Sequence, residues 1–317
     1  MKMRMRWALS VAAPLVLILL FFEGTALSQQ ESATSAGAGR EAFIVSTSWL
    51  DQHLHDSSLV LIQVGAKDDY DAGHIPGARF LSLRDIPTPE SDSALTLELP
   101  PTDQLVSAFE RLGVSDGSRI ILCFAGERVT PAGRTFMTLD SLGLGSQASI
   151  LDGGLEAWRK EGRPMTKDVP SVTPGSFTPH PRSGTVVDSA WVHAHLSQPG
   201  VDILDARTPE YYSGKDSGGH PRAGHIPGAN NIPFTSLVDD SNHFKSATAL
   251  AEMFQAAGVK PGDQVITYCH IGLQASLLYF TARSLGYDVH LYDGSWEDWS
   301  ARKDLPIIGK DGKLSEK

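Results

Sequence analysis

The amino-acid sequence predicts an α/β protein in which one domain has been duplicated in tandem, each copy a parallel sheet flanked by helices. Three observations predict this. The chain has 317 residues, enough for two domains of ordinary size. Gly73-His74-Ile75-Pro76-Gly77-Ala78 recurs as Gly224-His225-Ile226-Pro227-Gly228-Ala229, and other landmarks follow each motif in the same order. Short apolar runs of β type alternate with helical stretches in both halves, the pattern of strands buried beneath helices.

The landmarks fix how the copies align. Leu59-Val60-Leu61-Ile62 matches Val201-Asp202-Ile203-Leu204, and Arg119-Ile120-Ile121-Leu122 matches Gln264-Val265-Ile266-Thr267. Leu142-Gly143 matches Leu285-Gly286. Asp152-Gly153-Gly154-Leu155-Glu156-Ala157-Trp158 matches Asp293-Gly294-Ser295-Trp296-Glu297-Asp298-Trp299. A repeat this long is a duplicated domain, not a solenoid unit. In the second copy the pattern predicts strands at 202–205, 264–268 and 289–292, and helices over 247–257 and 274–284. The predicted first domain spans 42–162 and the second 185–309. Between them, residues 163–184 contain Pro164, Pro170, Pro174, Pro179 and Pro181 and read as a stiff, extended linker.

The first 28 residues have the layout of a secretory signal peptide. Lys2, Arg4 and Arg6 precede an apolar run from Trp7 to Phe22, and Ala26-Leu27-Ser28 offers small residues for cleavage. The run is shorter than the roughly 20 residues of a spanning helix. The expectation is an exported protein, periplasmic or secreted, with 29–41 as a flexible lead-in. Formal net charge is -10, which argues against general nucleic-acid binding and against docking on anionic membranes. Two cysteines, Cys123 and Cys269, do not make a disulfide scaffold. No spaced His/Cys cluster suggests a metal, and no Gly-rich loop suggests a nucleotide, so no cofactor is expected.

Cys269 heads the stretch Cys269-His270-Ile271-Gly272-Leu273-Gln274, where a predicted strand ends and a predicted helix begins. Ligands of open α/β sheets gather at this end of the strands. A tight turn there aims backbone N–H groups at its centre, and the helix adds its positive dipole end. Such a cradle favours a thiolate, the nucleophilic form of cysteine. Alignment places Cys123 opposite Tyr268 and Phe124 opposite Cys269, so Cys123 reads as a buried strand residue. His74 and His225 occur in both copies and read as turn residues, and Trp158 and Trp299 as core. Trp296, Lys215 and Arg222 are weighed as further groups near the mouth of the site.

These motifs together identify a family. Over about Ala42 to Ile308 the sequence resembles the tandem-domain rhodaneses, the thiosulfate and 3-mercaptopyruvate sulfurtransferases. The resemblance implies two tandem rhodanese-like domains, the first non-catalytic and the second catalytic. It implies that Cys269 attacks the outer sulfur of a donor and holds it as a persulfide before a thiophilic acceptor, such as cyanide or a thiol, removes it. The N–H groups of His270, Ile271, Gly272, Leu273 and Gln274 would stabilise that persulfide. Arg207 matches a family arginine that binds the donor's anionic group, with Asp205 orienting it or the loop. The first copy has Gln63 and Gly65 at those positions, which leaves it as a structural partner walling a cleft. Its two-domain cleft favours a monomer.

The loop departs from both branches of the family. Ile271 cannot carry charge, His270 can only at suitable pH, and Gln274 replaces the usual threonine. Thiosulfate is the preferred donor, because an exported protein meets inorganic sulfur anions. 3-Mercaptopyruvate is the alternative, and a non-catalytic redox or sulfur-binding module is a third. A cysteine phosphatase is disfavoured because Ala275 stands where the phosphate-clamping arginine would be.

Overall fold

The computed structural model describes residues 42–86, 95–126 and 128–315. The expected signal peptide and lead-in lie outside the described residues. Two five-stranded sheets form, and every strand pair within them is parallel. The first contains β1 (Ile44–Val45), β2 (Leu59–Val64), β3 (Arg79–Leu81), β4 (Arg119–Phe124) and β5 (Ala148–Leu151) in the order β1-β5-β4-β2-β3. The second contains β6 (Val186–Val187), β7 (Val201–Asp205), β8 (Asn230–Asn231), β9 (Gln264–Tyr268) and β10 (Asp288–Tyr292) in the equivalent order β6-β10-β9-β7-β8. Register agrees as well as order. Gln63 pairs with Cys123 in the first sheet, and Asp205 pairs with Tyr268 in the second. Among the described residues, no helix is long and apolar enough to cross a membrane.

Alternation along the strands sends successive side chains to opposite faces. In β2, Val60, Ile62 and Val64 enter a core shared by both copies, while Leu61 joins Ile121, Cys123 and Trp158 on the outer face. In the second sheet, Ile203, Ile266, Tyr268, Trp296 and Trp299 form the corresponding outer cluster. The shared core is one continuous cluster. Phe136 of the first domain meets Phe280 of the second edge to face at 4.8 Å, and Phe244 packs on Phe280 at 5.2 Å.

The helices Thr130–Ser141 and Leu273–Ser284 are equivalent twelve-residue elements, and they cross at this core. Gly133 allows the close crossing: a Cβ there would lie 3.0 Å from the Cα of Leu277. Buried polar bonds close the contact. Asp140 accepts from the Tyr279 hydroxyl and from Nε of Arg283, the latter at 2.9 Å. After the helix Gly154–Lys160, residues 163–184 form no helix and no strand, although Thr166 bridges back to His74.

Because the core crosses the domain boundary, both copies are expected to unfold in one calorimetric transition. Phe280→Ala should lower stability by about 3–5 kcal/mol, as for other buried aromatic truncations, with that single transition retained. Two separated transitions in the unmodified chain would contradict a common core.

Candidate active site

The end of β9 aims Cys269. Tyr268 occupies the outer face, so the next residue turns into the interdomain core, and Cys269 packs there with no solvent exposure. The chain then reverses through Gly272, whose φ of +80° suits glycine, and enters the helix Leu273–Ser284. A side chain at this position would also be crowded: a Cβ would lie 3.0 Å from both Arg134 Nη1 and Asp293 Oδ1. Burial pushes the Cys269 thiol above its ordinary value, while the N–H groups of Ala275, Ile271 and Gln274 pull it back and the charge of Asp205 adds to the rise. The sequence suggested a cradle that favours thiolate. Three N–H donors do act on the sulfur, but full burial outweighs them. Ala275, outside the expected stretch, is one of the three.

The motif Asp293-Gly294-Ser295-Trp296 holds the cysteine's backbone. Ser295 Oγ accepts from Cys269 N at 3.2 Å and donates to Tyr292 O at 2.9 Å. Trp296 N donates to Cys269 O, and Glu297 N to His270 O, both at 2.9 Å. Ser295 adopts φ +51°, a left-handed conformation that costs a non-glycine residue about 1 kcal/mol or more. The first copy has Gly154 there at φ +58°. The second copy therefore accepts backbone strain and gains a hydroxyl beneath the cysteine.

Arg207 and Asp205 are buried side by side. Arg207 Nε donates to both Asp205 oxygens at 3.0 Å, and Nη2 donates to Asp205 Oδ2 at 2.5 Å and to Gly224 O at 2.7 Å. The guanidinium lies 4.5 Å from the centroid of a Trp296 ring and 5.6 Å from that of Tyr268. Trp296 thus carries the arginine on its face, a role the repeat could not assign. Arg207 is 1% exposed. Its charge is largely matched by Asp205 before any ligand arrives.

His270 stands beside the cysteine as a neutral imidazole. Burial, Arg207 and His220 push it down to about 4, against the opposing charges of Asp205 and Asp216. It hydrogen-bonds His220 at 3.1 Å and meets the edge of Tyr211. The positive charge considered for His270 from sequence is therefore absent at neutral pH. Gln274 has a buried side-chain oxygen with no partner, so that oxygen does not tie the loop shut. Arg222 is committed to structure. It donates to the carbonyls of Ser300, Leu305, Trp299 and Arg302 and so caps the helix Ser295–Ala301. Lys215 is exposed.

The first copy lacks this constellation at every point. Phe124 fills the cysteine's position at 2% exposure, and a Cβ on Gly154 would strike its carbonyl at 2.6 Å and its ring at 2.8 Å. Gln63, at the register position of Asp205, is buried with neither side-chain polar atom bonded. Cys123 is a free, fully buried thiol raised by burial. His74 Nδ1 donates to Tyr70 O and the ring stacks on Tyr70, and His225 does the same at Tyr212. Among the described residues, no group of three metal-ligating side chains occurs.

Two outcomes follow from this geometry. Ser295→Gly should leave the melting temperature equal or higher, because the strain is relieved, while lowering the alkylation rate of Cys269 several-fold; unchanged alkylation would contradict the role of the hydroxyl. His270 binds a proton in the unfolded chain near 6.5 but resists it in the fold until about 4. Stability should therefore fall as pH drops through that window. His270→Gln should flatten this part of a melting-temperature profile.

Comparison with known proteins agrees with the geometry. The rhodanese-like domain family matches residues 46–161 and again 188–302. The sulfur carrier protein TtuD of Thermus thermophilus is 31% identical over 288 residues, covering 86% of this chain and 98% of the relative. The thiosulfate sulfurtransferase of Azotobacter vinelandii is 30% identical over 264 residues, covering 81% and 94%. The crystal structure of SseA from Escherichia coli, a 3-mercaptopyruvate sulfotransferase by its description, superposes with a TM-score of 0.70 at 27% identity, covering 80% of this chain and 98% of that one. With two matched domains and relatives of this kind along nearly its whole described length, the chain belongs to the rhodanese-like family, as a tandem-domain sulfurtransferase.

Proposed function

We propose that this sulfurtransferase works through a persulfide on Cys269 and that thiosulfate is its donor. The carrying observation is the place of Cys269 at the turn into the helix Leu273–Ser284, its backbone held by Ser295 Oγ and Trp296 N, where the first copy has Phe124. The Cys269 thiolate attacks the outer sulfur of thiosulfate. A sulfur–sulfur bond forms as the donor's own breaks, and the electron pair leaves on sulfite. A thiolate or cyanide then attacks the outer sulfur of the persulfide and departs with it, which restores the Cys269 thiolate. The loop donors are suited to holding negative charge on either sulfur. Arg207, whose charge acts on His270 of the same loop, orients the donor in this reading, with Asp205 fixing the guanidinium. Because Cys269 is fully buried, a donor reaches it only by displacing neighbouring groups.

The choice of thiosulfate rests on the expected export of the chain and on a relative that bears that name. One observation favours 3-mercaptopyruvate instead. With Arg207 paired to Asp205 and His270 neutral, the site offers little excess positive charge. A singly charged donor suits it better than a doubly charged one.

Steady-state kinetics with cyanide as acceptor tests both readings. Parallel double-reciprocal lines, abolished in Cys269→Ser, are expected for the persulfide route. A kcat/KM at least tenfold higher for thiosulfate supports the first donor, and the reverse order supports the second. Intersecting lines, or activity surviving in Cys269→Ser, would overturn the mechanism.

A further inference from the structure

We propose that Arg134, from the domain without a nucleophile, is a positioning residue for the Cys269 loop. The inference rests on the reading of Cys269 as the sulfur carrier. It begins with a charge in an unexpected place. In the paired helices Thr130–Ser141 and Leu273–Ser284, the fifth position is Arg134 in one and Leu277 in the other. Arg134 is 3% exposed and crosses the domain boundary. Its Nη1 donates to Asp293 Oδ1 at 2.6 Å, and its Nη2 donates to Leu97 O. Leu99 N donates to the other oxygen, Asp293 Oδ2, at 2.8 Å. Both oxygens of Asp293 are thereby held by the first domain.

Residues shortly after Asp293 hold the cysteine. The two residues after Gly294 grip the backbone of Cys269 on its N–H and on its carbonyl, through Ser295 Oγ and Trp296 N. Arg134 Nη1 also lies where a Cβ on Gly272 would come within 3.0 Å, directly against the turn that aims the loop donors. The guanidinium therefore supports the loop from two sides, at Gly272 and through Asp293. It does not touch the reacting sulfur.

The first copy supplies the comparison. Asp152, the counterpart of Asp293, likewise reaches across the boundary, to Phe244 N at 2.9 Å and to His243 Nδ1 at 3.0 Å. There the partner is a histidine, and the two side chains are 42% and 30% exposed, against 4% and 7% for Arg134 and Asp293. The same interdomain contact is built as a buried pair with a permanently charged arginine only beneath the nucleophile. A planar fork that spans a carboxylate and a carbonyl is a geometry lysine cannot copy.

The test uses the full chain and three variants: Arg134→Lys, Arg134→Gln, and Arg134→Gln with Asp293→Asn. The double variant removes both buried charges together and so guards against unfolding caused by an unpaired Asp293. Each is measured for melting temperature, for kcat and KM with the better donor, and for the pH midpoint of Cys269 alkylation by iodoacetamide. The folded double variant should lose at least tenfold in kcat with KM within twofold, and its alkylation midpoint should rise. Arg134→Lys should be intermediate. A folded double variant with the parent kcat and alkylation midpoint would overturn the proposal, as would a loss confined to melting temperature. If the unmodified chain takes sulfur from no donor, the persulfide reading fails. The alkylation midpoints still report whether Arg134 positions the loop.

Discussion

The carboxylate of Asp293 is the point at which the two halves of this protein depend on each other. A buried carboxylate is costly unless both oxygens are hydrogen-bonded and its charge is matched. Here both requirements are met from the opposite domain, by Arg134 and Leu99 N. The ion pair is therefore better regarded as a constraint than as a source of net stability. It fixes where Asp293 sits, and the residues after it fix the backbone of Cys269. The continuous core around Phe136, Phe244 and Phe280 provides the stabilisation, and the polar contacts set register across it.

The comparison between copies gives the site its meaning. Duplication kept the sheet order, the strand register, the stacked histidines of the turn and the outer tryptophans. Among the differences is a short series at one end of the sheet. Phe124 is the counterpart of Cys269, Gln63 of Asp205, Gly65 of Arg207, Gly154 of Ser295 and Leu155 of Trp296. Each residue of the second copy in that series either touches the cysteine's backbone or belongs to the stack of Asp205, Arg207 and Trp296. The electrostatics are restrained. Arg207 is matched by Asp205, His270 is neutral, and the sulfur is helped mainly by backbone N–H groups.

Much of this was legible in the sequence because repetition and period-two alternation are local signals. The tandem α/β fold followed from them, and the placement of Phe124 against Cys269 followed from matched strands. Ser295 could have been found the same way, since Asp-Gly-Gly against Asp-Gly-Ser was in plain view; what the sequence hides is that the position needs a positive φ, which makes a serine there costly. Trp296 was visible as an unmatched aromatic, but its arginine lies many residues away. Arg134 left a fainter trace, a charge beside Gly133, Phe136 and Met137 on a helix face that also carries Asp140. Its partner is in the other domain, and no spacing rule connects them. The rise in the Cys269 thiol was not legible either, because burial depends on everything packed around the loop.

The central claim is that sulfur passes through Cys269 and no other group. Peptide mass mapping after exposure to thiosulfate or 3-mercaptopyruvate tests it most directly, with Cys123 as an internal control in the same molecule. The account predicts one added sulfur atom on the peptide containing Cys269, removable by cyanide, and an unmodified Cys123. Sulfur on Cys123, or none on Cys269 with a donor that supports turnover, would contradict it.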